Sequence, residues 1–284
     1  MKTYNDIITI DLISHGLRQK GKLSNQKTVV EFRSNAKDRL AYWLANRMDQ
    51  LAFLTMSGIA YTQNNDGSAR TSAAFSQLAF AADVEAPTSN RVRRWDGLNS
   101  KLVAGNTAGM LATDTLTYKA VVDMTVFAKT HYIKPLIQGG KEYYVVFCRP
   151  EALAQLKKDA DYQRAVVTGA DRGKDNPFFS GGIQTIDGLV FHEHRLVYTT
   201  LGLASSSKWG ATGTVDGSRL LLCGSQALGF ADLGAPEWSE KWFNYESSPG
   251  INVDKMFGFL KPKFYSIYDK SVEHFGVLCV DHAL

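Results

Sequence analysis

Apolar residues at positions 29, 32, 36, 40, 43, 44, 48, 51 and 54 recur at steps of three and four. The gaps hold Arg33, Lys37, Asp38, Arg39, Arg47 and Asp49, and no Gly or Pro interrupts before Gly58. That period predicts one amphipathic helix from near Thr28 to near Ser57. At 1.5 Å per residue such a helix spans about 45 Å, well beyond the usual 11 or 12 residues. Its Leu40, Leu44, Met48 and Leu51 stripe is expected to lie on strands from the C-terminal part of the chain.

Elsewhere the pattern is that of strands. Residues 7–13 are rich in β-branched side chains and predict a strand, followed by a polar, basic stretch over 15–25. Residues 143–148 and 219–223 are apolar on both faces and predict buried central strands. Asp187-Gly188 is a turn pair leading into an alternating strand over 189–197. Pro150 opens a short helix through Ala160. A second amphipathic helix is predicted over 115–132, capped by Asp114 or Thr113. Residues 225–232 read as a short helix, and 240–284 as three or four aromatic-rich strands. Residues 61–112, 161–182 and 204–218 break into Gly, Ser, Thr, Asn and Asp and read as irregular. This order of elements is α+β, without the alternation of a doubly wound sheet.

Composition narrows the field. The chain has 284 residues, 44% hydrophobic and 21% charged, enough to build a core without disulfides or metals. Lys and Arg exceed Asp and Glu by 32 to 28, too slight an excess for a dedicated nucleic-acid binder but enough for one basic face. Three cysteines, Cys148, Cys223 and Cys279, sit singly in apolar runs with no CxxC pair, so they are expected to pack as small hydrophobes in a reducing compartment. No stretch approaches the roughly 18 apolar residues of a membrane span, and the first residues lack a signal-peptide layout. Synthesis in the cytoplasm is expected.

Few residues invite chemistry. His192 and His194, at i and i+2 on an expected strand, share a face and are the best metal candidates. No third ligand is near in sequence and HExxH is absent, so a hydrogen-bonded pair is expected instead. GxSxG, GxxxxGK[ST] and GxGxxG are all missing. No catalytic, cofactor or metal site is therefore expected, and the chain does not read as an enzyme. Residues 1–40 carry eight Lys or Arg against four Asp or Glu. Arg18, Lys20, Lys22, Arg33, Lys37 and Arg39 gather ahead of the long helix and in its first turns, where cations oppose the macrodipole. Two readings stay open in equal measure: a solvated helix start, or a negatively charged partner, either nucleic acid or an acidic patch on a neighbouring subunit.

Several segments, taken in order, resemble one family. Residues 21–27, then Ala36 to Trp43 and Arg47 to Gln50, are similar to the long-helix entry of phage major capsid proteins of the coliphage N-four type. The block 176–182, followed by residues 186–195, is similar to that family's phenylalanine-glycine turn and "IDG" strand. Residues 220–228 resemble its following strand-helix, and 275–281 its final strand. The resemblance implies the Hong Kong 97 capsid fold. Residues 1–27 would then be an N-terminal arm and extended-loop segment. Residues 28–134 would be a peripheral domain with the spine helix and a long insertion over 61–112. Residues 135–235 would be an axial domain, and 236–284 the return strands of the peripheral domain. Relatives of this type carry a longer arm, which implies a shortened, processed or truncated N-terminus here. The implied function is an icosahedral shell subunit forming hexamers and pentamers around double-stranded DNA, with portal and scaffold or decoration proteins as partners and no membrane. A nanocompartment shell of the encapsulin type, enclosing cargo protein, is the alternative on the same fold.

Overall fold

The computed structural model describes residues 5–21, 31–169 and 184–284. Thr28 to Val30, Lys22 and the block 176–182 lie outside them. The long helix α1 runs unbroken over Phe32–Ser57. It stops at Gly58, whose φ of 68° and ψ of 36° place it in the left-handed region. Its N–H reaches the carbonyls of Leu54 and Thr55, and a Cβ there would stand 2.5 Å from the Glu85 carbonyl oxygen. Only glycine suits that position.

α1 joins two sheets. Its first half lays Ala36, Leu40 and Leu44 on Ile251 and Val253. These belong to β11 (Ser248–Leu260), the central strand of a four-stranded antiparallel sheet. β1 (Asp11–Arg18) and β10 (Glu237–Phe243) flank β11, and β9 (Gly229–Asp232) pairs with its far end. The second half of α1 is buried on more than one side. Leu51 and Leu54 pack with Phe257 and Phe259 of β11, while Phe53 and Met56 pack with Leu221, Cys223, Val277 and Cys279.

Those last four residues belong to an eight-stranded mixed sheet. Its order is β3 (Lys101–Ala104), β2 (Val92–Asp96), β14 (Val277–Ala283), β8 (Gly217–Cys223), β5 (Lys141–Cys148), β7 (Leu189–Glu193) and β6 (Gln184–Ile186). β4 (Leu136–Gln138) pairs with the start of β5. The face opposite α1 carries α2 (Tyr118–Thr130), α3 (Pro150–Lys158) and α4 (Ala160–Gly169). Val146, Leu220, Leu222, Leu278 and Val280 point to that side, whereas Phe147, Leu221 and Cys279 point to α1. Cover on both faces is why these strands are apolar throughout. A separate hairpin, β12 (Lys263–Ser266) and β13 (Ser271–His274), projects from the connection between the two sheets.

Several expectations are corrected. The first strand is Asp11–Arg18 rather than 7–13; Ile8 and Thr9 instead pass over Gly229 and Gly258 of the sheet. Residues 61–112 are not wholly irregular, because β2 and β3 take their order from β14. The helix read over 225–232 is β9, held by Phe257 to Leu260 of β11. α4 occupies part of the stretch read as irregular, and residues 237–284 supply five strands. α2 starts after Thr117 without a side-chain cap; Asp159 accepts from the Tyr118 N–H, and Asp114 is engaged elsewhere. The last strand, β14, lies beside β8 rather than with β10 and β11, so the C-terminal segment contributes to both sheets.

Candidate inter-subunit surface

Among the described residues, Arg18, Lys20, Arg33, Lys37 and Arg39 are not gathered into one patch. In an antiparallel pair directly opposed residues share a face. Trp238, Glu240 and Trp242 of β10 therefore share the α1 face with Val253, Ile251 and Pro249, while Ser239, Lys241 and Phe243 share the outer face with Asn252, Gly250 and Ser248. Arg33 and Lys37, on the first turns of α1, converge on Glu240 at 2.9 and 3.3 Å. Hydrogen bonding from Arg33, then from Lys37, holds the Glu240 carboxyl below its ordinary range. The negative partner that the helix start calls for is thus within the chain for these two residues. Arg18 lies on the outer face, its guanidinium 4.5 Å from the Phe243 ring centroid, with the Lys241 ammonium 5.6 Å from the same ring. Its Nε donates to Ser248 Oγ at 3.1 Å. Arg39 donates to Asn35 on its own helix, Lys20 is exposed just beyond β1, and Lys22 is outside the described residues.

Around these cations lies exposed apolar surface. Trp238, Trp242 and Tyr245 stand out along β10 and its turn, and Leu12, Leu233 and Met256 cluster on the outer face of the same sheet. Among the described residues β10 pairs on one edge only, with β11. An exposed edge strand with two tryptophans offers backbone and side-chain groups to another chain.

Charged groups outside the six candidates, among them the cluster of Arg91, Arg93 and Arg94, are buried or partly buried. Arg91 is 2% exposed and spends its donors on the His274 carbonyl, Asp269 and the His131 carbonyl. His131 Nδ1 meets the other Asp269 oxygen at 2.8 Å, so Asp269 ties the β12–β13 hairpin to the body. Arg94 reaches Asp114, whose carboxylate also accepts from the Gly97 and Leu111 N–H groups. Arg93 lies over the Phe127 ring at 4.7 Å. The run Arg91, Arg93, Arg94 thus serves folding. Charge alone could not show this, because each partner is distant in sequence. Burial also lowers the Lys261 ammonium to about 8, where it donates to the Met56 and Glu85 carbonyls.

His192 and His194 do not converge on a third ligand. β7 ends at Glu193; the His194 ring stacks on Phe53 at 4.7 Å, and its Nδ1 accepts from the Leu196 N–H. Among the described residues no three His, Cys, Asp or Glu side chains are grouped to hold a metal, and no helix is long and apolar enough to cross a membrane. The three thiols are free and buried, and burial pushes Cys148 and Cys223 up to about 12.

The profile of a family described as phage capsid protein matches residues 1–284 of this chain. The chain belongs to that family. It is 48% identical over 283 residues to the major capsid protein of Pseudomonas phage KPP25, covering 99% of this chain and 75% of that protein. Its fold is similar to the capsid of Ralstonia phage GP4, with a TM-score of 0.76, 24% identity, and 97% of this chain against 74% of that one. The Cyanophage Pam1 capsid asymmetric unit gives a TM-score of 0.72 at 18% identity, covering 97% of this chain and 75% of that one. The α+β architecture is therefore that of Hong Kong 97-type capsid proteins. Such proteins are structural rather than enzymatic.

Proposed function

We propose that the chain is a major capsid protein, the structural subunit that self-assembles into the icosahedral shell enclosing the double-stranded DNA of a tailed phage. The observation that carries this reading is the 48% identity to a major capsid protein along essentially the whole chain. Its physical support is the exposed apolar and aromatic surface on the α1 sheet and its edge strand, since interfaces draw on such residues. In this reading residues 28–134, with α1 as the spine, and the return strands over 236–284 form the peripheral domain, and residues 135–235 form the axial domain. The copies form hexamers and pentamers, meet a portal and scaffold or decoration proteins, and reside in the virion after synthesis in the host cytoplasm. The order of its segments resembles that of the coliphage N-four type, which is the phage type this reading assigns.

Electron microscopy of the purified chain tests the assembly. Closed icosahedral particles are expected; persistent monomers at assembly concentration would remove the reading, and particles holding cargo protein instead of DNA would redirect it. The cations give a finer test. DNA presents one negative charge per roughly 1.7 Å of duplex axis, so an inner wall must avoid strong negative charge. With Arg33 and Lys37 already on Glu240, Arg18, Lys20, Lys22 and Arg39 are the candidates for DNA or for an acidic neighbour. Replacing Lys20 and Lys22 with Glu is expected to weaken DNA retention or closure more at low salt than at high salt. Normal packaging at both would exclude the assignment.

A further inference from the structure

β10 has one free edge among the described residues, and every residue of it except Phe243 is exposed. Unpaired N–H and C=O groups along an edge recruit other chains, so such edges are commonly blunted by Pro or by a bulge. β10 has neither, and its register with β11 is unbroken from Glu237 to Phe243. Its charges follow an order. Glu240, on the α1 face, is held by Arg33 and Lys37. Glu237 and Lys241 are exposed on the outer face, and among the described residues neither enters an ion pair; Lys241 meets only the Phe243 ring. Four positions apart on one strand, about 13 Å, the two are too distant to pair within the chain.

A two-fold axis makes a surface meet itself, residue i against j and j against i. Strands joined edge to edge by such an axis run antiparallel, and the residue on the axis faces its own copy. With Ser239 on the axis, Glu237 stands opposite Lys241 of the second copy, and Lys241 opposite its Glu237. That register gives two opposite-charge pairs on the outer face. On the α1 face it sets Trp238 against Glu240 of the second copy, beside the cations that Glu240 holds. A register centred on Glu240 or on Lys241 would set like charges directly opposite, which destabilises a sheet. The helices leave room for the join: β11 of the two copies would lie about 14 Å apart, beyond the 8–10 Å of packed helices.

We propose that β10 pairs with β10 of a second copy, antiparallel about Ser239, so that two four-stranded sheets run on as one across a two-fold axis. Backbone hydrogen bonds supply the attachment, and the Glu237–Lys241 pairs select the register. The second copy as occupant follows from this charge complementarity. That the join serves a shell rests on the capsid reading. Edge pairing extends both sheets within one layer and leaves their faces free.

The test is Ser239→Cys, with mild oxidation of the particles read by non-reducing electrophoresis. The three native thiols are free and buried. Directly opposed Cα atoms lie about 4.5–5.5 Å apart, inside the range a disulfide spans, so dimers linked through position 239 are expected. Lys241→Cys, whose copies stand well apart in this register, is expected to give none. Charge supplies a second arm. Lys241→Glu and Glu237→Lys are each expected to leave the melting temperature of the subunit unchanged, yet to raise at least tenfold the subunit concentration needed for assembly. Combining the two exchanges is expected to restore it. Shells without dimers linked at 239, dimers formed as readily by Lys241→Cys, single reversals that assemble normally, or a double exchange that fails to rescue would overturn the strand pairing alone. A chain that gives linked dimers but never closes into shells would overturn the capsid reading and leave the pairing standing; one that gives neither would overturn both.

Discussion

Arg219 and Asp281 stand directly opposite each other on β8 and β14, joined by two parallel hydrogen bonds of 2.7 and 2.9 Å. Asp281 is fully buried, and the remaining guanidinium nitrogen donates to the Ser57 carbonyl at the end of α1 at 2.8 Å. The attraction of Asp281 outweighs the burial that would otherwise depress the Arg219 guanidinium, whose pKa is raised. One pair thus ties the middle of the eight-stranded sheet to the last turn of the long helix. Bidentate geometry of this kind gives direction as well as energy.

Arg219→Met is expected to destabilise the subunit by about 3–5 kcal/mol, because it leaves Asp281 buried and unpaired. The double variant Arg219→Met with Asp281→Leu should lose less than the sum of the singles. Urea denaturation of all four proteins measures the coupling, and strict additivity would contradict the account.

Leu40 and Leu44 fill the contact between α1 and β11, being 1% and 5% exposed. Truncating either to Ala should cost about 2–5 kcal/mol, the usual range for a filled core site. Denaturant midpoints decide this. A loss below 1 kcal/mol would mean the helix does not depend on that sheet.

His274 predicts acid sensitivity. Burial, reinforced by the positive charges of Lys261, Lys263 and Arg91, lowers its imidazole from 6.5 to about 3; Glu85 lies 4.0 Å away on the other side. Between those values the unfolded chain binds a proton that the folded protein does not. Its contribution is therefore fully present above pH 6.5 and is lost as pH falls toward 3. His274→Asn keeps an acceptor for the Thr88 N–H and should flatten the fall in melting temperature between pH 6.5 and 3. An unchanged slope would assign the acid sensitivity to other groups.

A chelator provides the metal test. With the His194 ring stacked on Phe53 and its Nδ1 already accepting a backbone N–H, EDTA should leave the thermal stability of subunit and particles unchanged. Stoichiometric zinc in purified protein, lost together with assembly on chelation, would restore the His192 and His194 pair as ligands.

The sequence by itself determined the elements whose pattern is local. α1 could be read from its three- and four-residue steps and from Gly58, because a helix writes its buried stripe into nearby positions. β5 and β8 could be read as central strands, because cover by α1 on one side and α2 to α4 on the other demands apolar side chains on both faces. Burial of the three thiols followed from the same runs. Tertiary structure decided whatever depends on a distant partner. β2 becomes a strand beside β14, with Val92 opposite Cys279, and β9 becomes a strand because β11 offers it an edge. The partner of Arg33 is Glu240, 207 positions on, and that of Arg91 is Asp269, 178 positions on. A charge run looks the same in sequence whether it meets DNA, water or a buried carboxylate; only the folded chain brings the partner within about 3 Å, where the attraction acts.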